Sequence, residues 1–403
     1  MRLPALKYIV AFLLNCFFGG LFAQNQVIEQ ANKLIALQRY ASAYEVLRGS
    51  DPNDQSPEIA IARTNLLLKY YIKTDKFHSF GLKDIAPNQN LQDFRNSNTS
   101  VRMFSYKPDS ILNKLIRQNP THYKLHYALG NFYYEVHLIY PDDKWTEPDS
   151  ILVENIKSHY LTAYKNNEYD YWSLFGIGYT YMLEDDYDNG ILYLEKSIQE
   201  NPDYPLSYYN LAFAYLSKDQ YDQAIKLGER AYELQQIPEF KAETAVLIGE
   251  AYRELKNPLK AYEYMLTAHK LYPTNYNALI PLLELELQLD KPEYLKRTET
   301  IFRLGPSNPI IYQDIMKAYS QNEKDNEFAG FLETKRNEYR NNLPVSANIH
   351  LYLAITQYEM DEWVASKLNF EKARSLFRNF YKTDHNVFKV IDSYTEAIKK
   401  KKK

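Results

Sequence analysis

Cysteine occurs only once in the 403 residues, as Cys16. It lies in a hydrophobic N-terminal segment that we expect to be removed, which would leave the mature protein without a thiol. Disulfides, cysteine nucleophiles and thiolate metal sites are then excluded, so the fold must rely on packing alone. The stretch Leu13-Leu14-Asn15-Cys16 is similar to a lipoprotein box, but Asn15 stands where a small residue is expected. We therefore do not predict lipidation.

Glycine is also scarce, with 12 residues, which argues against an all-β chain with many tight turns. The formal net charge is only −3, so the composition gives no sign of a nucleic-acid partner. Tyrosine, in contrast, is abundant, with 38 residues. Because tyrosine packs its ring and keeps a polar tip, it suits surfaces that are partly core and partly interface.

Catalytic signatures are missing. No Gly-rich phosphate loop, HExxH or GxSxG motif occurs, and the sequence predicts no enzyme, no cofactor and no metal. His122 and His126 have a spacing that could share a metal on a helix, but His126 fills an aromatic position of the repeat described below, which favours packing. The acidic stretch 184–188 lacks the calcium-loop register because Gly190 comes one residue too early, so an exposed turn is favoured.

The first 23 residues have the features of a secretory signal peptide. Arg2 and Lys7 give a basic start, and residues 8–18 form an apolar run shorter than the roughly 20 residues that span a bilayer. Cleavage after Ala23 is expected. The segment resembles signal peptides of Gram-negative envelope proteins. We expect a periplasmic or secreted protein without a transmembrane span after cleavage; a retained anchor is the alternative.

The rest of the chain repeats a pattern of aromatic and small residues. Four segments share the spacing large-small-x2-Tyr, and three residues before the large one stand His126, Leu174, Tyr208 and Ala245 respectively. The small residue recurs at Gly178, Ala212 and Gly249, after 34 and then 37 residues. Small residues seven apart follow in second segments, at Gly190 and Ser197, Ala224 and Ala231, and Ala261 and Ala268. Apolar residues at three- and four-residue spacing predict amphipathic helices, and small residues let two such helices approach to about 8 Å.

This pattern resembles the tetratricopeptide repeat, in which W-x2-L-G-x2-Y is followed by A-x3-F and P over 34 residues. The resemblance implies an all-α fold, a right-handed superhelical solenoid of about seven or eight antiparallel helix pairs. It is strongest over residues 123–273 and eroded elsewhere, as in the copy that contains His350 and Trp363. Pro281 falls inside a predicted helix of the eroded part and should kink it.

These patterns divide the chain into six segments. They are the signal peptide (1–23), one or more N-terminal helical repeats (24–74), an irregular loop or break (75–108), the core repeat array (109–273), degenerate C-terminal helix pairs (274–398) and a basic tail (399–403). Residues 75–108 are polar and lack periodicity, which favours a loop. For the tail we expect a frayed helix end; weak contact of Lys399–Lys403 with an anionic envelope surface is the alternative.

The stretch Pro-Asp-Ser-Ile-Leu occurs twice, at 108–112 and 148–152. Both copies are predicted helix starts, because polar capping residues precede an apolar run. Asp-Ser-Ile also resembles an O-glycosylation sequon of some Bacteroidota-type envelope proteins. The two copies therefore predict local structure and, by resemblance, a modification.

In tetratricopeptide arrays the first helices of successive pairs line a concave face. Carried over to this chain, that geometry implies a groove that is aromatic at one end and charged at the other. Its predicted members are Tyr127, Asn131, Trp172, Phe175, Tyr179, Tyr209, Phe213, Glu250 and Arg253. Tyr127 stands where the carboxylate clamp of chaperone-binding relatives would need Lys, so capture of an acidic C-terminus is not expected. The alternative is that these rings only fill gaps between helices.

The sequence thus predicts a non-catalytic scaffold of the cell envelope that binds a protein or peptide partner in this groove. Contiguous exposed aromatic surface usually marks an interaction site, and Trp and Tyr dominate interface hot spots. A glycan-binding envelope protein that stacks sugars on Trp and Tyr is the alternative. Such glycan binders are usually lipidated and longer, with loop-rich insertions, and this chain shows little of either.

Overall fold

The computed structural model describes residues 24–97, 99–140 and 144–401. The predicted signal peptide, its cleavage after Ala23, and Cys16 lie outside the described residues, as do the last two lysines of the tail. The chain divides after Ala214 into two compact units, and each is described by itself.

Helices make up most of both units, which confirms the all-α prediction. The first unit contains residues 24–36 (α1), Tyr40–Ser50 (α2), Pro57–Tyr70 (α3), Leu91–Arg95 (α4), Pro108–Gln118 (α5), Lys124–Ile139 (α6), Asp149–Lys165 (α7), Tyr171–Leu183 (α8), Tyr187–Glu200 (α9) and most of Pro205–Ser217 (α10). The second unit contains Tyr221–Leu234 (α11), Pro238–Glu254 (α12), Pro258–Leu271 (α13), Tyr276–Gln288 (α14), Tyr294–Leu304 (α15), Pro309–Ser320 (α16), Asp325–Glu338 (α17), Leu343–Glu359 (α18), Trp363–Phe377 (α19) and Asn386–Lys401 (α20).

Some helices begin where a side chain satisfies their first N–H groups. Helices α5 and α7 do start at Pro108 and Asp149, inside the two Pro-Asp-Ser-Ile-Leu stretches, but without the predicted hydrogen bond from a capping side chain. Helix α8 starts with a capping box, in which the Asp170 carboxylate accepts from the Ser173 N–H at 3.0 Å and the Ser173 hydroxyl accepts from the Asp170 N–H. Such caps satisfy donors that the helix itself leaves unpaired.

The turn inside six of the helix pairs repeats one backbone motif. A single residue with φ between 50° and 60° follows the first helix of the pair, at Asp185, Asp219, Lys256, Asp290, Glu323 and Asp361. The next N–H then donates back across the turn, as from Gln220 to the carbonyl of Tyr215 at 2.8 Å. This is the bond that closes a helix in a Schellman motif. The motif continues through residues 274–398, where the side-chain pattern is eroded.

Small residues lie where the paired helices meet. A Cβ atom on Gly178 would lie only 2.8 Å from Cγ of Leu194 and 3.2 Å from the backbone oxygen of Gly190, so α8 and α9 approach too closely for a larger residue there. In the second unit, Ala224 and Ala261 are fully buried. The paired helices therefore come close together because their contact residues are small, as the spacing of alanine and glycine predicts.

A small sheet stands where the sequence predicts an irregular loop. Strands Lys73–Asp75 (β1), Ser79–Leu82 (β2) and Arg102–Ser105 (β3) pair antiparallel in the order β1-β2-β3. Strands of three or four residues are too short to show an alternating pattern. The polar composition of residues 75–108 therefore concealed them.

Apolar anchors fix this sheet to the helices. Phe77 and Phe80 are fully buried, and the Phe77 ring packs edge-on against Phe132 of α6 at 6.2 Å. The indole N–H of Trp145, from the connection between α6 and α7, donates to the carbonyl of Lys76 at 2.8 Å. The long connection in that helix pair is thus bonded to the β1–β2 hairpin.

Two expectations for the C-terminal half concern local geometry. Pro281 does lie inside a helix, α14. In the basic tail, Lys401 is still helical, with its ammonium 3.4 Å from Asp361 and 4.9 Å from the centre of the Tyr358 ring. The described part of the tail is therefore in contact with the body of its unit.

Within the described ranges, no helix is both long and apolar enough to cross a membrane.

Candidate functional site

A cavity of about 540 Å³ lies between α3, α6 and the start of α8 in the first unit. Its lining combines aromatic rings with carboxylate, amide and ammonium groups. The lining residues are Asn65, Leu68, Lys69, Tyr127, Asn131, Glu135, Asp170, Tyr171 and Trp172. Tyr127, Asn131 and Trp172 were predicted groove members, so the structure brings three of the nine together here.

Hydrogen bonds hold the polar groups of the cavity in place. The Tyr127 hydroxyl donates to Oδ2 of Asp170 at 2.8 Å, while Oδ1 of Asp170 caps α8. Oδ1 of Asn131 accepts from the hydroxyl of the fully buried Tyr160 at 2.7 Å. Burial, together with the Asp170 carboxylate, raises the pKa of Tyr127, so its phenol stays a neutral donor. The lining is thus preorganised by bonds between neighbouring helices.

An aromatic cluster forms one side of the cavity. The Trp172 ring lies edge-on to Tyr134 at 5.3 Å, and Phe175 packs edge-on against Tyr204 at 5.3 Å. Trp172 is half-buried, whereas Phe175 is only 2% exposed and lies inside the cluster instead of in the cavity. Tyr179 stacks on Phe175, and its hydroxyl lies 3.1 Å from Nε2 of His137. Of these predicted groove residues, Trp172 alone lines the cavity.

Glu135 introduces a partly buried carboxylate. Burial raises the pKa of Glu135, and the nearby Arg95 opposes that shift. The Arg95 guanidinium is itself engaged, since it donates to the carbonyls of Tyr71 at 2.8 Å and Lys69 at 3.1 Å. Among the described residues, Glu135 has no hydrogen-bond partner within 3.5 Å and no ion-pair partner within 4.0 Å.

The other predicted groove residues lie elsewhere. Tyr209 and Phe213 are on α10, half-buried and 42% exposed respectively, and they do not line the cavity. Glu250 and Arg253 belong to the second unit. There the Arg253 guanidinium lies 3.0 Å from Glu250 and 2.5 Å from Glu284, which places it between carboxylates of α12 and α14.

Sequence reasoning missed six of the lining residues. Glu135 could have been found, because it continues the four-residue spacing of Tyr127 and Asn131 along one face of α6. Asp170 and Tyr171 directly precede Trp172 at the start of α8. No copy of the repeat was aligned over α3, so nothing pointed to Asn65, Leu68 and Lys69.

Histidine pairing differs from the spacing noted in the sequence. Nδ1 of His126 lies 2.8 Å from Nδ1 of His159 on α7, and His122 is not part of this pair. Burial, with a smaller contribution from His126, lowers the pKa of His159 to about 4. In the part of the chain that the structure describes, no group of three or more His, Cys, Asp or Glu side chains is placed to hold a metal ion.

Two family models match within the first unit and the start of the second. Residues 173–204 and residues 193–226 each match a model of the tetratricopeptide repeat. The chain contains tetratricopeptide repeats. No curated protein matches the sequence significantly.

Solved structures with tetratricopeptide repeats also resemble the chain. PilF of Pseudomonas aeruginosa is 14% identical, with 68% of this chain and 100% of that one covered and a TM-score of 0.45. A tetratricopeptide repeat protein of Parabacteroides merdae is 15% identical, covering 66% and 98%, with a TM-score of 0.40. YrrB, described as having an unusual peptide-binding site, is 14% identical, covering 46% and 95%, with a TM-score of 0.37.

Among the tetratricopeptide repeats of the first unit, α6 and α8 are the first helices of successive pairs. Helix α3 also packs against α6. The cavity therefore lies along first helices of successive pairs.

Proposed function

We propose that this protein is a non-catalytic interaction scaffold that binds a peptide segment of a protein partner in the cavity between α3, α6 and α8. The observation that carries the proposal is the lining of that cavity. The rings of Tyr127, Tyr171 and Trp172 surround polar groups that hydrogen bonds from neighbouring helices already orient. Rigid aromatic anchors around a few oriented polar groups are typical of protein-binding surfaces.

The size of the cavity suits side chains of a peptide. A volume of about 540 Å³ lies within the range of pockets that enclose small ligands. The helices that form it are fixed by a capping box at α8 and by the Tyr160–Asn131 bond. Because little ordering is needed on the scaffold side, most of the entropic cost of binding would fall on the peptide. The expected signal peptide supports a setting in the cell envelope, periplasmic or secreted.

The test is selection from a random peptide display library by the purified mature chain, followed by binding measurements with the recovered peptides. Trp172→Leu should weaken binding at least tenfold, since it removes a half-buried ring of the lining but keeps an apolar residue. Phe175 is unsuitable for this test because its burial would make a polar substitution unfold the unit.

Phe240→Leu is the control. Phe240 is 51% exposed on α12 in the second unit, so this change also replaces an aromatic ring by leucine but leaves the cavity intact. Peptides that bind the wild-type chain and Trp172→Leu equally well would refute the proposed site. A glycan array is screened in parallel, and Trp172-dependent sugar binding without peptide binding would replace the proposal with the glycan alternative.

A further inference from the structure

We propose that the outer edge of strand β3 binds an extended segment of a partner protein, which joins the small sheet as a further antiparallel strand. The segment that fits carries an acidic and a large apolar side chain. No residue of β3 lines the cavity between α3, α6 and α8. The inference therefore goes beyond the proposed function and does not depend on it.

Strand β3 lies at one end of the sheet, whose order is β1-β2-β3. Among the described residues, no helix or strand except β2 makes more than marginal contact with it. Three of its four residues are exposed, and Met103 is 44% exposed. An open strand edge presents N–H and C=O groups with which another chain can pair.

The pairing with β2 decides which main-chain groups of β3 point outwards. The N–H of Tyr106 donates to the carbonyl of His78 at 3.1 Å, directly beyond the β2–β3 ladder. In an antiparallel pair, only alternate residues bond to a given neighbouring strand. Phe104 therefore also bonds to β2. Met103 and Ser105 direct their N–H and C=O groups to the opposite side.

These two residues have main-chain groups to offer. Each has one donor and one acceptor, and within the described ranges no main-chain partner bonds to the outward groups of Met103 and Ser105. In strand addition, main-chain bonds supply affinity and alternate side chains supply specificity. An antiparallel segment would continue the pairing that the sheet already has.

Charge favours an acidic segment. Residues 94–108 contain Arg95, Arg102 and Lys107 but no Asp or Glu. Arg102 is paired with Glu45 at 2.7 Å, and Arg95 donates to main-chain carbonyls. Lys107, in contrast, is exposed and has no hydrogen-bond or ion-pair partner among the described residues. Its ammonium is the cation that this edge leaves to a partner.

The direction of the added strand fixes the spacing of its side chains. Lys107 has extended backbone angles, φ −113° and ψ 87°, and stands four residues after Met103. In an antiparallel segment, the residue opposite Lys107 therefore comes four positions before the residue opposite Met103. Residues that face each other on neighbouring strands interact. We expect an acidic residue at the first of these positions and a large apolar residue at the second.

A second copy of this chain fits the edge less well. Two β3 edges paired with each other would bring the basic residues of both copies together, and residues 94–108 supply no acid to balance them. Like charges on neighbouring strands destabilise their pairing. A segment of another protein with an acidic side chain avoids this repulsion.

The experiment selects peptides from a random display library with the mature chain and compares their binding to Ser105→Pro. Proline at this position removes an outward N–H that the sheet itself does not use. Peptides that pair with β3 should bind about tenfold more weakly to this variant. They should bind Ser105→Thr, which keeps the N–H, and Trp172→Leu as they bind the wild type. These peptides should show the acidic-x3-apolar pattern.

Methylation of peptide nitrogens tests the main-chain pairing without a change in the protein. A methyl group on a nitrogen that faces β3 should weaken binding about tenfold or more, whereas one on the next nitrogen should not, because alternate N–H groups point away. Hydrogen exchange followed by NMR should show protection of the Met103 and Ser105 amides when peptide is added. Urea unfolding of Ser105→Pro separates loss of binding from loss of fold.

Lys107→Gln tests the charge. Changing the acidic residue of the peptide from Glu to Gln should weaken binding to the wild type about two- to fivefold, as expected for an exposed ion pair. The two peptides should bind Lys107→Gln nearly alike. Lys389→Gln, the same change at an exposed position on α20, should keep the difference.

Three results would overturn the inference. The first is that no selected peptide is lost with Ser105→Pro, and the second is that methyl groups on neighbouring peptide nitrogens weaken binding equally. The third is a wild-type dimer in sedimentation equilibrium that Ser105→Pro dissociates, since a second copy would then be the occupant. Equal binding of the Glu and Gln peptides to the wild type would overturn the acidic segment. None of these results affects the proposed function, which is tested through Trp172.

Discussion

The Tyr160 ring lies between Gly130 and Gly176, and its hydroxyl donates to Oδ1 of Asn131 at 2.7 Å. A Cβ atom would come within 2.6 Å of the ring from Gly130 and within 2.5 Å from Gly176. One fully buried side chain of α7 thus separates α6 from α8 and orients a residue that lines the cavity. The two glycines make room for the ring.

Gly176→Ala should therefore destabilise the first unit by about 1–3 kcal/mol, the usual cost of overpacking. With Tyr160→Leu already present, the same substitution should cost clearly less, because the ring that it would strike is gone. Urea unfolding of the four proteins measures the difference. Gly49→Ala is the control, since a Cβ atom there meets nothing within 4 Å, and we expect it to be neutral or slightly stabilising. Equal costs in both backgrounds would contradict the packing argument.

Ala224→Leu should overpack the second unit. Ala224 is fully buried in a cluster with Ile248 and Ala251, so the added carbons have no free volume. We expect a loss of about 1–3 kcal/mol in the free energy of unfolding. Gln223→Leu adds a leucine at the adjacent, exposed position and should have little effect. A mutant that melts at the same temperature as the wild type would show that the contact around Ala224 has room for a larger side chain.

A buried ion pair joins Glu286 of α14 to Arg297 of α15, with Nη2 and Oε1 2.9 Å apart. Arg297→Met should cost about 3–5 kcal/mol, because it leaves a buried carboxylate without its partner. Combining it with Glu286→Leu removes that carboxylate and should recover most of the loss. Chemical denaturation of the single and double mutants tests this. A double mutant less stable than Arg297→Met would argue that the pair itself stabilises the fold.

Acidification should weaken the first unit through His159. The folded unit keeps His159 neutral down to a pKa of about 4, whereas the unfolded chain binds a proton near the ordinary value of 6.5. Stability from this group is therefore complete above about pH 6.5 and is lost as the pH falls towards 4. Urea midpoints at several pH values should fall across that window.

The variant His159→Gln isolates this contribution. It should show a smaller fall than the wild type, because proton uptake by His159 is removed. Glu135, whose pKa is raised, acts in the opposite direction but equally in both proteins, so it does not affect the comparison. His385→Gln replaces an exposed histidine of the second unit and should leave the fall unchanged. An identical pH dependence in wild type and His159→Gln would exclude the mechanism.

The spacing of small residues was enough to predict the helix pairs, because close approach of two helices restricts residue size at fixed positions. Gly178 is an example: its neighbours Leu194 and Gly190 leave no room for a Cβ atom. The β1–β2–β3 sheet could not be predicted in the same way. Its strands are held by Phe77 and Phe80 packing on helices, and contacts that are distant in sequence leave no periodic signal.

The cavity was predictable only in part. The repeat pattern placed Tyr127, Asn131 and Trp172 on the face that now lines it. The same pattern placed Phe175 there, but Tyr134 and Tyr204 cover that ring from outside its own helix. Whether a ring on the predicted face is open or covered depends on side chains from other elements. Helical spacing does not contain that information.

The turns after the first helices are built from main-chain bonds and one left-handed residue that is never glycine at the six positions from Asp185 to Asp361. Aspartate, lysine and glutamate all serve there, so the reversal of the chain does not depend on one side chain. Drift in the flanking sequence can therefore erase the recognisable signature of a helix pair without unfolding it. This explains why helix pairs continue through residues 274–398, where the repeat motif is no longer recognisable in the sequence.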